Sequence, residues 1–173
     1  ECMKENGYDF FVARIYKSDG EVDYKGVQNI RNTHAAGMRS VHALLNPCMV
    51  WNCPTAENQV ALAINATKGT QFDILWLNIN AFLTWPADKD WNRQFILDMV
   101  KKTSEMGHTA GIYTDESNWA GTVGDWRGMS TCPLRWLNYG LGLNFDDFPS
   151  FGGWNTPQLR HFNDNLKGPC SVG

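Results

Sequence analysis

The chain has 173 residues, of which 43% are hydrophobic and 19% charged, as in a globular domain with a buried core and not as in a disordered segment. The formal net charge is −3, and lysine and arginine are scattered along the sequence, which argues against nucleic acid or an anionic membrane surface as a partner. No apolar run approaches the roughly 20 residues that a membrane-spanning helix needs.

Residues 10–113 alternate between strand-like and helix-like segments. The predicted strands are 10–16, 40–45, 72–79 and 109–113, and the predicted helices are about 23–36, 54–66 and 90–106. Pro54 is predicted to open the second helix, and Gly37 and Gly107 follow the first and third helices as C-cap glycines do. Because the strands are apolar on both faces, the alternation predicts an α/β fold in which helices cover a parallel sheet.

The pattern changes after residue 114. One short helix is predicted over 116–122, and two strands follow, at 134–139 and 158–163, with no long helix between them. An irregular TIM-like (β/α) barrel, helix-rich in its first half and helix-poor in its second, explains this change. An open doubly wound sheet is the competing architecture, but no Gly-rich phosphate loop follows any strand.

The cysteines and one asparagine indicate an oxidising, extracellular setting. There are five cysteines, no Cys-x-x-Cys motif, and a short Trp-containing loop between Cys48 and Cys53 that is predicted to close as a disulfide. The odd count leaves one cysteine free or paired outside the chain. Asn65-Ala66-Thr67 is an N-glycosylation sequon. These features together predict a secreted glycoprotein, and the four histidines lack metal-binding spacing, so neither a metal nor a cofactor is predicted.

The third predicted strand ends in two polar residues, Asn78 and Asn80. Their i, i+2 spacing directs both side chains to one face of the sheet. The active sites of parallel α/β barrels lie at this end of the strands. Two interpretations follow: the amides belong to a site, or they cap the strand and hydrogen-bond its loop, as asparagine often does.

The segment Ile74-Leu75-Trp76-Leu77-Asn78-Ile79-Asn80 resembles the "WLDIE" strand of glycoside hydrolase family 25 lysozymes of the protist and invertebrate type. Further segments resemble family motifs in the same order: Tyr8 through Arg14 ("GYxFxxxR"), Ala35-Ala36-Gly37, the loop with Pro47, Cys48 and Cys53, Gly111 through Thr114 with Trp119, Leu134 through Tyr139 ("LWYAHY"), and Phe151 through Trp154 with Pro157 ("FGGWTSP"). The collinear resemblance covers nearly the whole chain. It implies an irregular (β/α) barrel and an ancestral activity, cleavage of the β-1,4 link after muramic acid in peptidoglycan.

This sequence departs from the family at the catalytic positions. Where the family strand ends Asp-x-Glu, this chain has Asn78-x-Asn80. Glycosidases need one carboxylic acid to protonate the leaving oxygen and a second carboxylate, whereas an amide has no proton to give near neutral pH. The resemblance places two further aspartates before Glu1 and after Gly173, so we expect residues 1–173 to be a single lysozyme-like barrel domain without its first and last strands.

Two other carboxylates are candidate substitutes for the missing acids. Asp115 and Glu116 follow the fourth predicted strand and therefore lie at the catalytic end of the barrel. The competing interpretation is a helix start, because an aspartate at the N-cap and a glutamate in the first turn stabilise a helix.

The predicted saccharide-binding wall combines aromatic, amide and imidazole groups. In the segment similar to "LWYAHY", Arg135 and Asn138 replace the family's tryptophan and histidine, while Tyr139 is retained. The candidates for stacking on sugar rings are Tyr113, Trp136 and Tyr139; Asn78 and Asn80 are candidate hydrogen-bonding groups, and His42 and His161 are candidate groove-lining residues. Core packing is the alternative for the aromatic residues, and a satisfied structural role is the alternative for the histidines.

The sequence therefore predicts a secreted lysozyme-like protein without muramidase activity. It would bind peptidoglycan-like or other saccharides, or serve as a structural or interaction protein in an extracellular assembly. The alternative is an active N-acetylmuramidase that uses Asp115, Glu116 or carboxylates outside the given residues. A third hypothesis is a purely architectural role without any ligand.

Overall fold

The fold was analysed in a computed structural model, which describes residues 2–140, 142–164 and 167–170. Six strands form one sheet: β1 (Phe10–Tyr16), β2 (Ser40–Leu45), β3 (Ile74–Asn78), β4 (Thr109–Thr114), β5 (Leu134–Leu137) and β6 (Leu159–His161). The helices in the described residues are α1 (Cys2–Glu5), α2 (Tyr24–Ala35), α3 (Ala56–Ala66), α4 (Lys89–Glu105) and α5 (Glu116–Val123), with a 3₁₀ turn at Ala81–Leu83.

The sheet is entirely parallel, and its strand order follows the chain from β1 to β6. It curls into a half-barrel, in which β1 and β6 are the two edges among the described residues. Helices α2, α3 and α4 contact the sheet or one another on the outer side, and no helix lies between β5 and β6 within that part of the chain. The α/β class and the contrast between a helix-rich first half and a helix-poor second half are thus confirmed.

Hydrophobic residues are buried on both faces of the sheet. The larger cluster lies between the sheet and the helices and includes Ile15, Ile96 and Met99. A smaller cluster on the inner face is centred on Trp76 and Tyr113. The centre of the inner face is therefore apolar.

Several bounds and two short elements differ from the sequence prediction, and β3, β5 and β6 are each shorter than predicted. Helix α3 begins at Ala56 and its N-cap is Thr55, whose side chain accepts a hydrogen bond from the backbone N–H of Asn58. Pro54 precedes this cap, because the threonine oxygen satisfies a free helix N–H that proline cannot. Helix α1 and the 3₁₀ turn were not predicted, since a segment of three or four residues is too short to show a hydrophobic period.

Two disulfides join four of the five cysteines. Cys48 pairs with Cys53, as predicted, and Cys2 pairs with Cys170, a link across 168 positions that the sequence left open. Cys132 is unpaired, and burial raises the pKa of its thiol, so it stays protonated at neutral pH. None of the helices in residues 2–140, 142–164 and 167–170 is long and apolar enough to cross a membrane.

Candidate functional site

The strand register aligns a row of polar groups near the carboxyl ends of the strands. Asn78 pairs with Tyr113, Tyr113 with Arg135, and Arg135 with Leu159. Paired residues of neighbouring strands point to the same side of a sheet, and here that side is the inner face. The polar row therefore crosses the concave surface from β3 to β5, and Leu159 of β6 continues it with an apolar side chain.

Three buried asparagines form a chain of side-chain hydrogen bonds at this end of the sheet. The Nδ2 group of Asn78 donates to Oδ1 of Asn46 at 2.8 Å, and Nδ2 of Asn80 donates to Oδ1 of Asn78. Asn78 and Asn80 are 2% and 1% exposed, and Oδ1 of Asn80 has no hydrogen-bond partner in the described part of the chain. The arrangement ends in a buried acceptor without a donor.

This geometry does not support the interpretation of Asn78 and Asn80 as loop caps. The side chain of Asn80 makes no capping bond to the following 3₁₀ turn, and both of the asparagine bonds described above join side chains. Asn46 was not predicted as a site residue from the sequence, although a polar residue directly after a strand is a signal that could have identified it. Amides at these positions orient a ligand by hydrogen bonding, but they supply neither a proton nor a negative charge.

A second polar network links β4 and β6 with the segments that follow β5 and β6. The Oη atom of Tyr113 lies 2.6 Å from Nδ1 of His161, and Nε2 of His161 lies 2.9 Å from Oδ1 of Asp164. The hydroxyl of Tyr139 donates to the other oxygen of Asp164. The predicted residues Tyr113, Tyr139 and His161 thus come together, and Asp164 joins them from the segment after β6.

The protonation of this network follows from its surroundings. Burial lowers the pKa of His161, and the positive charge of Arg135 adds to that effect, so the ring is neutral at pH 7. A neutral ring carries one N–H, which fits donation from Nε2 to Asp164 and acceptance at Nδ1 from Tyr113. Burial also raises the pKa of Tyr113 to about 12, so its hydroxyl keeps the proton that it donates.

His42 lies at the opposite, amino end of the inner face. Its Nδ1 accepts a hydrogen bond from Nε1 of the buried Trp76 at 2.8 Å, and its Nε2 lies 3.0 Å from Oγ of Ser40, which donates to Asp73. Because Nδ1 is an acceptor, the ring proton is on Nε2, so the ring cannot take a proton from Ser40. These bonds favour the structural role for His42, in which it orients Trp76.

Trp136 points away from the inner face. Its ring is 3% exposed, packs edge-on against Phe148 at 5.1 Å between centroids, and lies under the guanidinium of Arg160 at 4.8 Å. It belongs to the cluster between the sheet and the outer elements. The structure thus supports core packing for Trp136.

The two candidate substitute acids lie at the start of α5. Asp115 is the N-cap: one carboxylate oxygen accepts from the backbone N–H of Asn118 at 2.8 Å, and the other accepts from the Asn118 side chain. Glu116 is exposed in the first turn. Both line a shallow depression of about 500 Å³ that also includes Tyr139. The capping interpretation accounts for Asp115, and within the described residues no three His, Cys, Asp or Glu side chains are placed to hold a metal.

Stability is expected to fall on mild acidification because three histidines are partly or wholly buried. Burial lowers the pKa of His42, His108 and His161. The unfolded chain, with histidine pKa values near 6.5, then binds protons before the folded chain does, so the free energy of unfolding decreases as pH falls through about 6.5. Melts at pH 7.5, 6.5 and 5.5 should show a falling Tm, and a smaller fall in His42→Gln. The exposed His34 provides the control variant His34→Gln; a Tm independent of pH would contradict the prediction.

The parallel half-barrel with a polar site at its strand ends defines a protein of the (β/α) class. The family model described as Lysozyme-like protein 1 matches residues 1–162. Lysozyme-like protein 5 of Caenorhabditis elegans is 41% identical over 174 residues, covering 99% of this chain and 80% of that protein. Probable GH family 25 lysozyme 5 of Dictyostelium discoideum is 34% identical over 178 residues, covering 100% and 81%. The chain belongs to the lysozyme-like protein family, which includes relatives named as glycoside hydrolase family 25 lysozymes.

Solved structures show the same fold at low sequence identity. The family GH25 lysozyme from Aspergillus fumigatus superposes with a TM-score of 0.74 and 17% identity, covering 95% of this chain and 80% of that one. The muramidase from Trichobolus zukalii gives a TM-score of 0.74 with 18% identity, covering 94% and 80%. At this identity the likeness establishes the fold alone.

Proposed function

We propose that this protein is a secreted, lysozyme-like saccharide-binding protein without muramidase activity. The observation that carries the proposal is the pair Asn78 and Asn80, which stands where the family resemblance places an acid pair. Two nearby carboxylates are engaged in hydrogen bonds: both oxygens of Asp115 accept at the helix start, and both oxygens of Asp164 contact His161 or Tyr139. A general acid free to protonate a glycosidic oxygen is not found among these residues.

Binding is supported by exposed aromatic side chains in the loops that follow the strands. Trp51 follows β2 and is 97% exposed, Phe82 follows β3 and is 69% exposed, and Tyr139 follows β5 and is 56% exposed. Loops at the carboxyl ends of barrel strands surround the site, and aromatic faces there suit stacking on sugar rings.

Retained muramidase activity is the second candidate function. It is favoured by relatives named as lysozymes and by Glu116, an exposed carboxylate in the depression beside Tyr139. An architectural role in an extracellular assembly, without ligand, is the third. We also propose that residues 1–173 form one lysozyme-like barrel domain, since the six strands of the described residues belong to a single sheet.

The experiment combines a hydrolysis assay with a binding titration. Purified protein is incubated with peptidoglycan, released muropeptides are quantified, and peptidoglycan and chitin fragments are titrated by calorimetry. We expect no release above the buffer control, together with measurable binding that Tyr139→Ala weakens by roughly three- to tenfold. Tyr24→Ala, which removes an exposed tyrosine from α2, is the matched control. Hydrolysis that disappears in Glu116→Gln would establish the second function, and flat titrations with every fragment would favour the third.

Secretion is supported by the two disulfides, since such bonds persist in oxidising compartments. The sequon lies at the end of α3, where Asn65 is exposed but Thr67 is 2% exposed and donates its hydroxyl to the carbonyl of Ile64 at 2.7 Å. The folded chain therefore hides the threonine hydroxyl, so a glycan would have to be added before α3 packs.

Protein secreted from eukaryotic cells is expected to carry one N-glycan at Asn65. Treatment with an N-glycosidase should lower its mass, and Asn65→Gln should abolish the shift. Asn58→Gln, an exposed asparagine of the same helix outside a sequon, should leave the shift unchanged. If the secreted wild-type protein shows no mass shift on N-glycosidase treatment, the proposal that it is a glycoprotein is wrong.

A further inference from the structure

A hollow of about 680 Å³ lies near the amino ends of β3 and β4, at the opposite end of the sheet from Asn78 and Asn80. Three segments line it: the end of α3, residues 67–72 before β3, and residues 106–108 between α4 and β4. Its volume lies within the range of roughly 300–1,000 Å³ that small-ligand sites occupy. The hollow is therefore large enough to hold a ligand, and it is separate from the candidate site described above.

Apolar and aromatic side chains form one part of the hollow. Ile64 and Phe72 line it and are each 6% exposed, and the half-buried Met106 lines it as well. The imidazole of His108 stacks on the Phe72 ring, with 4.2 Å between the ring centres and 11° between the planes. Because one face of the imidazole lies against Phe72, the part of His108 that lines the hollow is its other face or its edge.

The polar part of the hollow has little charge. The exposed side chains of Lys68 and Gln71 line it, and burial lowers the pKa of His108, so that ring is neutral at pH 7. None of the described residues that line the hollow carries a carboxylate. An uncharged molecule with apolar faces and hydrogen-bonding edges fits this lining, and a sugar ring has that character.

Asn65 lines the same hollow, and it is the acceptor residue of the sequon. It is exposed, and its side-chain amide makes no hydrogen bond within the described part of the chain. A sugar linked to this amide does not have to be captured from solution, because a short tether gives it an effective concentration on the order of millimolar. Stacking that is too weak to bind a free sugar is then sufficient to hold a tethered one.

We propose that the hollow holds the first N-acetylglucosamine of a glycan attached to Asn65, with the sugar ring packed against the stacked pair of Phe72 and His108. Its hydroxyl and acetamido groups would meet the polar side chains of Lys68 and Gln71. The inference rests on the glycoprotein prediction within the proposed function, and it adds a structural role in which the sugar covers apolar side chains. The outer sugars would extend from the amino ends of the strands and leave the strand-end site open.

The test compares forms of the secreted protein that differ only in the glycan. An endoglycosidase that cuts after the first N-acetylglucosamine leaves one sugar on Asn65, an N-glycosidase removes the whole glycan, and Asn65→Gln never carries it. We expect the intact and trimmed forms to share one Tm, about 2–4 °C above that of both forms without sugar, which is the shift that one added contact of ordinary strength gives in a domain of this size. In NMR spectra of the trimmed form, nuclear Overhauser effects should connect protons of the sugar with the ring of His108.

Variants of the lining separate contact with the sugar from a general effect of glycosylation. In His108→Ala, the Tm difference between the trimmed form and the form without sugar should fall to less than about half of its wild-type size. This variant also loses the stack on Phe72, so both of its Tm values should be lower than those of the wild-type protein. Ser104→Ala, at an exposed residue of α4 outside the hollow, should keep the whole difference. The NMR measurement uses the wild-type chain and does not depend on the folding of any variant.

The outcomes distinguish this inference from the prediction on which it rests. A glycosylated chain whose Tm is unchanged by removal of the sugar, or a gain of the same size in His108→Ala, would overturn the inference and leave the glycoprotein prediction standing. A gain that disappears on trimming would belong to the outer sugars and would overturn it as well, as would a trimmed form without nuclear Overhauser effects between the sugar and His108. A secreted chain without a glycan would overturn both.

Discussion

The double variant Asn78→Asp/Asn80→Glu is expected to release muropeptides from peptidoglycan at least about 100-fold faster than the wild-type protein. A rate increase of about 100-fold is the lower end of what a general acid contributes to a reaction. Asn78 ends β3, Asn80 follows it by two residues, and their side chains are joined by a hydrogen bond, so the introduced carboxyl groups would be close together. Two buried carboxyls at this separation cannot both ionise easily, and one keeps a raised pKa. A protonated acid beside an ionised partner is the arrangement that glycosidases use.

Controls must separate the added acids from a general effect of charge. Asn46→Asp places a carboxylate in the same hydrogen-bonded group but outside the family's acid positions, and it should leave the rate at background. Asn78→Asp alone removes the donor to Asn46 and should lower Tm without restoring hydrolysis. A folded double variant that stays at background would mean that the two amides do not by themselves account for the absence of activity.

Gly26→Ala is expected to destabilise the protein by at least about 3 kcal/mol, the upper range for forcing atoms into a packed core. Gly26 lies in the first turn of α2, and a Cβ built there would be 1.6 Å from the carbonyl oxygen of Arg14 and 2.7 Å from its carbon. Both are backbone atoms of β1, so no side-chain rotation relieves the overlap. The helix must move away from the sheet, which opens the core around Val27 and Ile30.

Gly121→Ala is the matched control for this prediction. Gly121 is also helical, in α5, but a Cβ there meets nothing within 4 Å. The intrinsic preference of a helix for alanine over glycine should then raise stability by about 0.5–1 kcal/mol. Urea denaturation of both variants measures the two free energies. A similar small gain in each would contradict the close approach of α2 to β1.

Apolar periodicity and turn chemistry were sufficient to predict most of the elements of the half-barrel. Strands β1 and β2 have the predicted boundaries, and α4 is shifted by one residue at each end. The caps explain this accuracy, since Asp23, Asp88 and Asp115 each accept a backbone N–H at the start of a helix. These signals are local, so they need no knowledge of the rest of the fold.

Only some of the site residues could be predicted from the sequence. Asn78 and Asn80 were identified from two polar residues ending an apolar strand, and their acid-free character follows from the side chains themselves. Asn46 lies 32 residues before its hydrogen-bond partner Asn78. Asp164 lies 25 residues after Tyr139, whose hydroxyl donates to it. Contacts over such distances depend on strand register, which a residue pattern does not specify for segments that are apolar on both faces.

The family, the order of strands and helices and the Cys48–Cys53 loop are properties of residue identity and spacing, and the sequence was enough to identify them. The folded sheet was needed to decide which face each side chain occupies. Trp136 and Arg135 are adjacent on β5, yet the tryptophan packs among the outer core residues and the arginine lies unpaired on the inner face. Alternation along a strand separates its two faces, but only packing against the helices determines which of them becomes the concave side.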